Sequence, residues 1–391
     1  MAPIASSDTF EPIASSETMD SLVRINSKQG NENIRMTGIC KFEPLPNVKT
    51  ILVTGGAGFI GSWMTRHLVQ QYQNDYTVVC LDKMDTVSSL NNILALFEYP
   101  NFRFVHGSIC DGRTVDFVLE TYQVDCVMHF AANSHVQNSF GDPFSFTENN
   151  VLGTHVLLDR VRAYGKVQRF IHVSTDEVYG ETNRIPAREE STLLAPTNPY
   201  SASKAAAEMY VMAYQRSFRI PAIIVRSNNV YGPCQYPEKL IPRFSNLMLK
   251  GHKLTLQGDG THSRRFLYAA DAADAFDTIL HKGVVGEVYN IDSRYEVQNR
   301  EVAARIMHLF GRDPNKDFDE CVSWIPDRPF NDGDYCVDGG KLQELGWQQR
   351  VDFASGLAMT VEWYKRHLSF WWHSLPGQHP KGWKAQQYEL P

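Results

Sequence analysis

TGGAGFIG, residues 54–61, follows the apolar run KTILV and leads into the amphipathic segment GSWMTRHLVQQY. Its glycines have the spacing GxxGxxG, which lets the backbone turn tightly and lets an anion approach the N–H groups at a helix start. The stretch therefore predicts a strand, a pyrophosphate-binding loop and a helix. The candidate binding residues of this loop are Gly55, Gly58, Phe59, Ile60 and Gly61.

Short apolar runs and amphipathic segments continue to alternate after this loop. The runs YTVVCLD, NFRFVHGSI, VDCVMHFAA, QRFIHVST and PAIIVRSNN are rich in Val, Ile and Phe. Strands that alternate with helices form a parallel sheet with helices on both faces. We therefore predict an α/β protein with a Rossmann-type doubly wound parallel sheet. A smaller C-terminal lobe is expected after about residue 232, where the alternation loosens.

Changes in composition divide the chain into four segments. Residues 1–45 are rich in Ser, Thr, Asn and Glu, and a disordered tail is expected there. Residues 46–232 should form the dinucleotide-binding domain, and residues 233–366 a substrate-binding lobe interleaved with it. Residues 367–391 hold three tryptophans and two prolines in LSFWWHSLPGQHPKGW, which predicts a tail packed on the body.

Composition narrows the function classes. The 391 residues are 43% hydrophobic and carry a net charge of −6 without a long basic run, so a nucleic-acid partner is not expected. The seven cysteines are scattered and form no CxxC pair, which favours reduced thiols in the cytoplasm over disulfides or a metal site. No apolar stretch reaches the length of a membrane span, and no secretory signal is recognisable.

An acidic residue ends the second predicted strand. Asp82 lies 21 residues beyond Gly61, at the position where a carboxylate accepts hydrogen bonds from the adenosine ribose. Such a carboxylate would repel a 2′-phosphate, so NAD is favoured over NADP as the cofactor. The adjacent Lys83 is the one feature against this preference.

NPYSASK, residues 198–204, places Tyr200 and Lys204 one turn apart on a helix face. Asn198 suits the N-cap and Pro199 the first helical position. A lysine close to a tyrosine and to a cationic nicotinamide would lower the phenol pKa, making the tyrosine a usable base. The alternative is an ordinary surface pair.

These motifs together resemble the extended short-chain dehydrogenase/reductase family, over about residues 48–366. The resemblance implies a Rossmann domain that holds NAD, a C-terminal lobe that holds a nucleotide-sugar, and Thr175 as the hydroxyl partner of Tyr200. It also places further cofactor contacts at Lys83, Ser108, Ile109 and Ala131.

STDEVYG, residues 174–180, adds two adjacent carboxylates at a strand end. The triplet Thr175-Asp176-Glu177 resembles the nucleotide-diphosphate-glucose 4,6-dehydratases of the same family. By that pattern Tyr200 takes the proton of the 4-hydroxyl, Glu177 removes the C5 proton and Asp176 protonates the departing C6 hydroxyl. Because like charges resist joint ionisation, we expect Glu177 ionised and Asp176 protonated. The alternative is a solvated acidic turn.

The second half of the chain carries the expected substrate contacts. RSNNVYGPCQYPEKLIP, residues 226–242, and the arginines in THSRRFLY and PDRPFND match the family's nucleotide-sugar side. The residues carried over are Ser134, Asn229, Lys239, Leu240, Arg264, Asn290 and Arg328. Planar guanidinium groups suit phosphate oxygens, and Arg265 is the rival of Arg264.

The substrate prediction is UDP-glucose, converted to UDP-4-keto-6-deoxyglucose. DRPFND and the segment that begins HFAANSHVQNS resemble the dehydratase half of rhamnose synthases, which use UDP-glucose. Asn331 stands where dTDP-glucose enzymes usually carry histidine. The alternatives are dTDP-glucose 4,6-dehydratase, a nucleotide-sugar epimerase or decarboxylase, and a non-catalytic NAD-binding regulator. The family resemblance also implies a homodimer formed through two helices, and no metal is expected.

Overall fold

The computed structural model describes residues 36–327 and 332–372. Within these residues the strands are β1 (Thr50–Thr54), β2 (Thr77–Asp82), β3 (Phe102–His106), β4 (Cys126–His129), β5 (Arg169–Thr175), β6 (Ala222–Ser227), β7 (Asn229–Tyr231), β8 (Leu254–Gln257), β9 (Ser263–Tyr268), β10 (Val288–Ile291), β11 (Glu296–Gln298) and β12 (Val322–Ile325).

The helices follow the strands in alternation through the first half of the chain. In the described residues they are α1 (Phe59–Gln71), α2 (Gly112–Tyr122), α3 (Val136–Gly141), α4 (Pro143–Phe146), α5 (Gly153–Tyr164), α6 (Pro199–Phe218), α7 (Leu240–Leu249), α8 (Ala269–Lys282), α9 (Asn299–Leu309), α10 (Pro314–Cys321), α11 (Gly340–Glu344) and α12 (Phe353–Trp371). Short 3₁₀ helices at Leu90–Asn92, Leu94–Glu98 and Asp176–Tyr179 and a π-helical turn at Thr147–Leu152 complete the elements.

A central sheet positions the rest of the molecule. In the described part of the chain it has seven strands in the order β3-β2-β1-β4-β5-β6-β10, and every neighbouring pair is parallel. The strand order reverses between β1 and β4, and ligands of doubly wound sheets bind beside the carboxyl ends of strands at such a reversal. The predicted fold class is confirmed.

Helices cover both faces of this sheet, as the apolar strand sequences require. On one face α1 and α8 pack together, and their core includes Trp63, Leu68 and Phe276. On the other face α2, α5 and α6 pack in a row, with a core that includes Val118 and Leu158. Burial of strands on both faces explains why their sequences are continuous apolar runs.

The C-terminal half contributes to both lobes. Sheets in the order β11-β9-β7 and β12-β8 form the smaller lobe with α7, α9 and α10, as far as the described residues show. Helix α8 and strand β10 return to the central layer, where β10 pairs with β6. Residues after 232 therefore contribute both to the central sheet and to the smaller sheets.

The N-terminal segment lies on the body from residue 36 onward. The backbone N–H groups of Ile39 and Cys40 donate to Asp274 Oδ1 at 2.7 and 2.8 Å. The expectation of disorder up to residue 45 therefore differs from the structure at residues 36–45, and residues 1–35 lie outside the described residues. Main-chain donors hold this segment, and no side-chain pattern reveals them.

The C-terminal helix α12 extends into the expected tail. The Trp371 carbonyl accepts hydrogen bonds from Ser89 Oγ at 2.9 Å and Asn91 Nδ2 at 2.7 Å. Two turns of helix earlier along the same element, Tyr364 donates to the Gln235 carbonyl. Residues 373–391 lie outside the described residues. None of the helices described in residues 36–327 and 332–372 is long and apolar enough to cross a lipid bilayer.

Candidate active site

A cavity lies beside the carboxyl ends of the central strands and extends into the smaller lobe. Most of the predicted cofactor residues line it: Gly55, Gly58, Phe59, Ile60, Gly61, Asp82, Lys83, Ile109, Ala131, Tyr200 and Lys204. Ser108 is outside this lining, and its hydroxyl accepts a hydrogen bond from the Cys110 N–H at 3.1 Å.

Two glycines of the loop cannot carry side chains. Gly55 has φ of +69°, and a Cβ there would lie 2.7 Å from the Ala131 backbone. A Cβ on Gly61 would lie 2.2 Å from the Gly55 carbonyl oxygen. The loop is thus packed against the start of α1 with its backbone exposed to the cavity, as a dinucleotide pyrophosphate requires.

Asp82 is buried at the end of β2. Its carboxylate accepts hydrogen bonds from the N–H groups of Ala57 at 2.9 Å and Met84 at 2.8 Å, and from Ser88 Oγ at 3.1 Å. Burial raises the pKa of this carboxyl despite those donors. Lys83 pairs with Asp85 at 2.9 Å, so its charge has a carboxylate partner. The loop and Asp82 together fit an adenosine ribose with free hydroxyls.

The hydroxyl of Thr175 lies between the acid pair and the tyrosine. It donates to Asp176 Oδ1 at 3.2 Å and accepts from the Glu177 N–H at 3.3 Å. Burial is the main cause that raises the pKa of the Tyr200 phenol, the Glu177 charge adds to the rise, and a hydrogen bond with Thr175 opposes it. The structure therefore brings the predicted hydroxyl partner to Tyr200.

Lys204 lies one turn after Tyr200, and its Nζ donates to the Val173 carbonyl at 2.7 Å. Burial lowers the pKa of this ammonium group to about 8, against the opposing effect of Glu208. Lys204 does not produce the expected lowering of the Tyr200 pKa, because burial of the phenol raises that pKa. The positive charge of an oxidised nicotinamide, when bound nearby, would act to lower this pKa.

The two adjacent carboxylates have different surroundings. Asp176 is 2% exposed and lies behind the cavity lining, where Oδ2 accepts from Asn228 Nδ2 at 2.6 Å. Burial, and then the Glu177 charge, raise the pKa of Asp176 to about 7. Glu177 lines the cavity, and its Oε2 accepts from Asn198 Nδ2 at 3.3 Å. Asp176 is thus partly protonated near neutrality.

A buried ion pair supports the turn that carries these acids. Arg226 on β6 binds Glu208 on α6 through three hydrogen bonds, the shortest 2.6 Å long. Arg226 Nη1 also donates to Tyr179 OH at 2.6 Å, and Tyr179 donates to Asn290 Oδ1 at 3.0 Å. This network was missed from the sequence, although an arginine inside the apolar run AIIVRS was a usable signal.

Asn290 is therefore placed outside the cavity lining, in contrast to the expectation of a nucleotide contact. It is fully buried, and its Nδ2 donates to the carbonyls of Ala187 at 3.1 Å and Asp338 at 3.2 Å. The side chain satisfies backbone carbonyls and Tyr179 in the interior, which the sequence pattern YNID does not reveal.

The remaining residues that were predicted to bind the substrate fall into three groups by their position relative to the cavity. Ser134, Asn229, Lys239, Leu240 and Arg264 line the cavity. Lys239 Nζ donates to the Ser134 carbonyl at 2.5 Å, and Arg264 Nη1 donates to the carbonyls of Ser263 and Asp332 at 2.7 and 3.0 Å. The rival Arg265 is outside the lining and pairs with Glu296 at 3.4 Å. Arg328 and Asn331 lie outside the described residues.

Sequence reasoning also missed polar residues of the smaller lobe. Arg243, Thr255, Gln257 and Asn299 line the same cavity. They lie on three separate elements, so no local spacing in the sequence could have grouped them. Among residues 36–327 and 332–372, no cluster of three or more potential metal ligands is present.

His129 forms part of the sheet interior. Its Nδ1 is 2.7 Å from Thr54 Oγ1 and its Nε2 is 2.9 Å from Thr154 Oγ1. Burial lowers the pKa of this imidazole to about 3, so it stays neutral and links β1, β4 and α5.

The fold and the cavity define a Rossmann-type enzyme with an acid pair beside a tyrosine–lysine pair. Comparison with known proteins then gives the family: residues 52–360 match the sequence profile described as GDP-mannose 4,6 dehydratase, and the chain belongs to that family.

Two curated relatives illustrate the similarity. A trifunctional UDP-glucose 4,6-dehydratase, 3,5-epimerase and reductase of Arabidopsis thaliana is 48% identical over 338 residues, which cover 85% of this chain and 50% of the relative. The chain thus spans about half the length of that protein. A dTDP-D-glucose 4,6-dehydratase of Homo sapiens is 42% identical, with 86% of this chain and 97% of the relative covered.

Solved structures agree with the fold. A dTDP-glucose 4,6-dehydratase of Streptomyces venezuelae with NAD bound has a TM-score of 0.78 and 40% identity, covering 82% of this chain and 98% of that one. A UDP-glucose 4-epimerase of Thermus thermophilus in complex with NAD has a TM-score of 0.73 and 31% identity, with 81% and 99% covered.

Proposed function

We propose that this chain catalyses the NAD-dependent dehydration of UDP-glucose to UDP-4-keto-6-deoxyglucose. The observation that carries the proposal is the acid pair. Asp176, with a pKa of about 7, lies directly behind Glu177, which lines the cavity together with Thr175 and Tyr200. An oxidation site next to one proton acceptor and one proton donor suits oxidation followed by elimination of water.

NAD is the cofactor, and the Gly55–Gly61 loop and Asp82 fit its pyrophosphate and adenosine ribose. When bound there, NAD would supply the hydride chemistry of the reaction, which is oxidation at C4 of the hexose and reduction at C6. Tyr200 removes the proton of the 4-hydroxyl as that hydride leaves, and Thr175 supports the developing phenolate by hydrogen bonding. Lys204, one helical turn from Tyr200, contributes the positive charge of its ammonium group to this part of the site.

The elimination step uses the acid pair. A 4-ketone acidifies the neighbouring C5–H bond, so Glu177 takes that proton and gives a proton back to C5 when hydride is returned to C6. The C5–C6 double bond forms as the C6–O bond breaks, and Asp176 supplies the proton that turns the leaving hydroxyl into water. General acid and base groups with separated pKa values are the usual means of such paired proton transfers.

The proposal favours the uridine nucleotide because identity is 48% to the UDP-glucose relative against 42% to the human dTDP-glucose enzyme. The dTDP-glucose 4,6-dehydratase reaction is the second candidate, supported by the Streptomyces structure at 40% identity. An epimerase or decarboxylase is disfavoured since neither reaction requires the Asp176–Glu177 pair. A non-catalytic regulator is disfavoured since it has no use for the tyrosine–lysine pair.

The chain is further proposed to act as a homodimer through α5 and α6. The support is a pair of exposed apolar side chains on α6, where Met209 is 48% and Tyr210 is 38% exposed. Apolar side chains at these positions suit close packing of helices from two subunits.

The test is incubation of the purified chain with UDP-glucose and, separately, dTDP-glucose. A product one water lighter, with an NMR spectrum of a 4-keto-6-deoxy hexose, is expected with UDP-glucose. Glu177→Gln should retain the fold and NAD binding yet form none of this product. A 4-epimer of unchanged mass, or normal turnover by Glu177→Gln, would refute the proposal.

A further inference from the structure

Arg243 lies at the end of the cavity formed by the smaller lobe. It is in the first turn of α7, whereas Thr255 and Gln257 are on β8 and Asn299 opens α9. These three elements pack against one another, and all four residues line the cavity. Arg243 is one turn along from Lys239, whose Nζ reaches back to Ser134 in the Rossmann half.

The guanidinium of Arg243 differs from the other arginines of the site. Arg226 binds Glu208, and Arg264 binds backbone carbonyls. The guanidinium of half-buried Arg243 makes no hydrogen bond or ion pair with any residue of 36–327 and 332–372, and burial alone lowers its pKa. A partly desolvated cation without an acceptor is unfavourable, so this group is suited to bind acceptors of a ligand.

The position of the reacting centre limits which part of the substrate Arg243 can meet. On the proposed function, the hexose lies against Thr175 and Tyr200 at the sheet. The diphosphate follows it along the cavity, and the nucleoside extends furthest into the smaller lobe. Thr255, Gln257 and Asn299 are neutral amide and hydroxyl side chains, which match the polar groups of a base and a ribose better than a phosphate charge.

We propose that Arg243 donates a hydrogen bond to the ribose 2′-hydroxyl oxygen of the nucleotide-sugar and thereby selects ribonucleotide over deoxyribonucleotide sugars. The inference rests on the proposed function and deepens it. Uridine diphosphate glucose carries this hydroxyl, and deoxythymidine diphosphate glucose does not. A charge-assisted bond to a group that one substrate lacks discriminates more strongly than the single methyl that distinguishes thymine from uracil.

The experiment compares three substrates: UDP-glucose, 2′-deoxy-UDP-glucose and dTDP-glucose. The second differs from the first only in the 2′-hydroxyl and from the third only in the base methyl. Wild-type protein should show a KM for UDP-glucose about tenfold or more below that for 2′-deoxy-UDP-glucose. Arg243→Leu should raise the UDP-glucose KM to the deoxy value, with kcat and both deoxy substrates little changed.

Arg305→Leu is the matched control, because Arg305 is an exposed arginine on α9 that pairs with Glu301 at 2.7 Å. It should leave all three KM values unchanged. Equal weakening of the three substrates by Arg243→Leu would place Arg243 on the diphosphate or in the fold and overturn the inference. Unchanged kinetics for all three would overturn it as well.

Calorimetry with UDP and 2′-deoxy-UDP separates this inference from the proposed function. Calorimetry measures binding and needs no turnover. Wild-type protein should bind UDP more tightly than 2′-deoxy-UDP, and Arg243→Leu should lose this preference. Absence of any dehydrated product from wild-type protein would refute the proposed function, while the two nucleotide affinities would still decide the role of Arg243. Equal affinity of wild-type protein for both nucleotides would refute the inference alone.

Discussion

Asp176 and Glu177 are adjacent in the chain, yet the turn at Asp176–Tyr179 gives each carboxyl group its own environment. Asp176 points into the interior, where Asn228 and Thr175 donate to it. Glu177 borders the cavity next to Asn198. Burial is the largest cause of the raised Asp176 pKa, so the backbone at the end of β5, which turns this side chain into the interior, favours its protonated form.

This difference predicts a pH dependence. Asp176 has a pKa of about 7, so its acid form, and with it kcat for dehydration, should fall as the pH rises above about 7. The hydrogen bond from Asn228 favours the ionised form and lowers that pKa. Asn228→Leu should therefore move the alkaline limb of the kcat profile to higher pH. Ser355→Ala, a change on the exposed start of α12, is the control and should leave the limb in place. A limb unmoved in Asn228→Leu would exclude Asp176 as its source.

The positions of individual residues at the cavity were predictable from the sequence where short spacing determines them. The glycines of the loop, Asp82 and the Tyr200–Lys204 pair each depend on one strand end or one helix turn. Arg243 depends on three elements that meet only in the folded lobe. Asn290 was expected near the nucleotide, but its side chain donates to the interior carbonyls of Ala187 and Asp338. These contacts join β10 to segments that are distant in the sequence, so the local pattern could not predict them.

At the scale of elements, the ion pair between β6 and α6 fixes the helix that carries Tyr200 and Lys204. Arg226 and Glu208 are 4% and 0% exposed, and Tyr179 joins them to the turn of the acid pair. The pair thus connects the helix of Tyr200 and Lys204, the neighbouring strand and the acidic turn in one buried network.

Loss of the carboxylate should be costly. Glu208→Gln leaves the Arg226 charge buried without its anion, and the free energy of unfolding is expected to fall by about 3–5 kcal/mol. Urea denaturation followed by circular dichroism measures the change. The control is Glu301→Gln in the exposed pair with Arg305, which should cost no more than about 1 kcal/mol. Similar losses of unfolding free energy in both variants would show that the buried pair contributes no more to stability than the exposed pair.

The strand–helix order of residues 49–232 was predictable because each buried strand is a continuous apolar run. The helical and sheet segments after residue 232 were not, since β10 joins the central sheet through pairing with β6 across a long chain separation. The ordered segment at residues 36–45 escaped prediction for a related reason: backbone N–H groups hold it at Asp274, Tyr72 and Tyr76.

At the scale of the whole molecule, the proposed dimer has a direct test. Met209→Glu places a charge on the exposed apolar side of α6, and a helix–helix interface there would bury it without a partner. Wild-type protein should have the mass of a dimer in light scattering, and Met209→Glu that of a monomer with unchanged circular dichroism. Val284→Glu, at an exposed position after α8, is the control. A monomeric wild type, or a variant that stays dimeric, would contradict the proposal.

Helix α12 binds two separate loops that border the cavity. The Trp371 carbonyl holds the loop of Ser89 next to Ser88 and Asp82, and Tyr364 donates to the carbonyl of Gln235, a residue that lines the cavity. Chimeras made by swapping lobes between paralogues will therefore misplace one loop whenever the crossover separates this helix from either of its two anchor points. A chimera that folds correctly should take α12 and both loops from the same parent, because neither lobe can be exchanged independently.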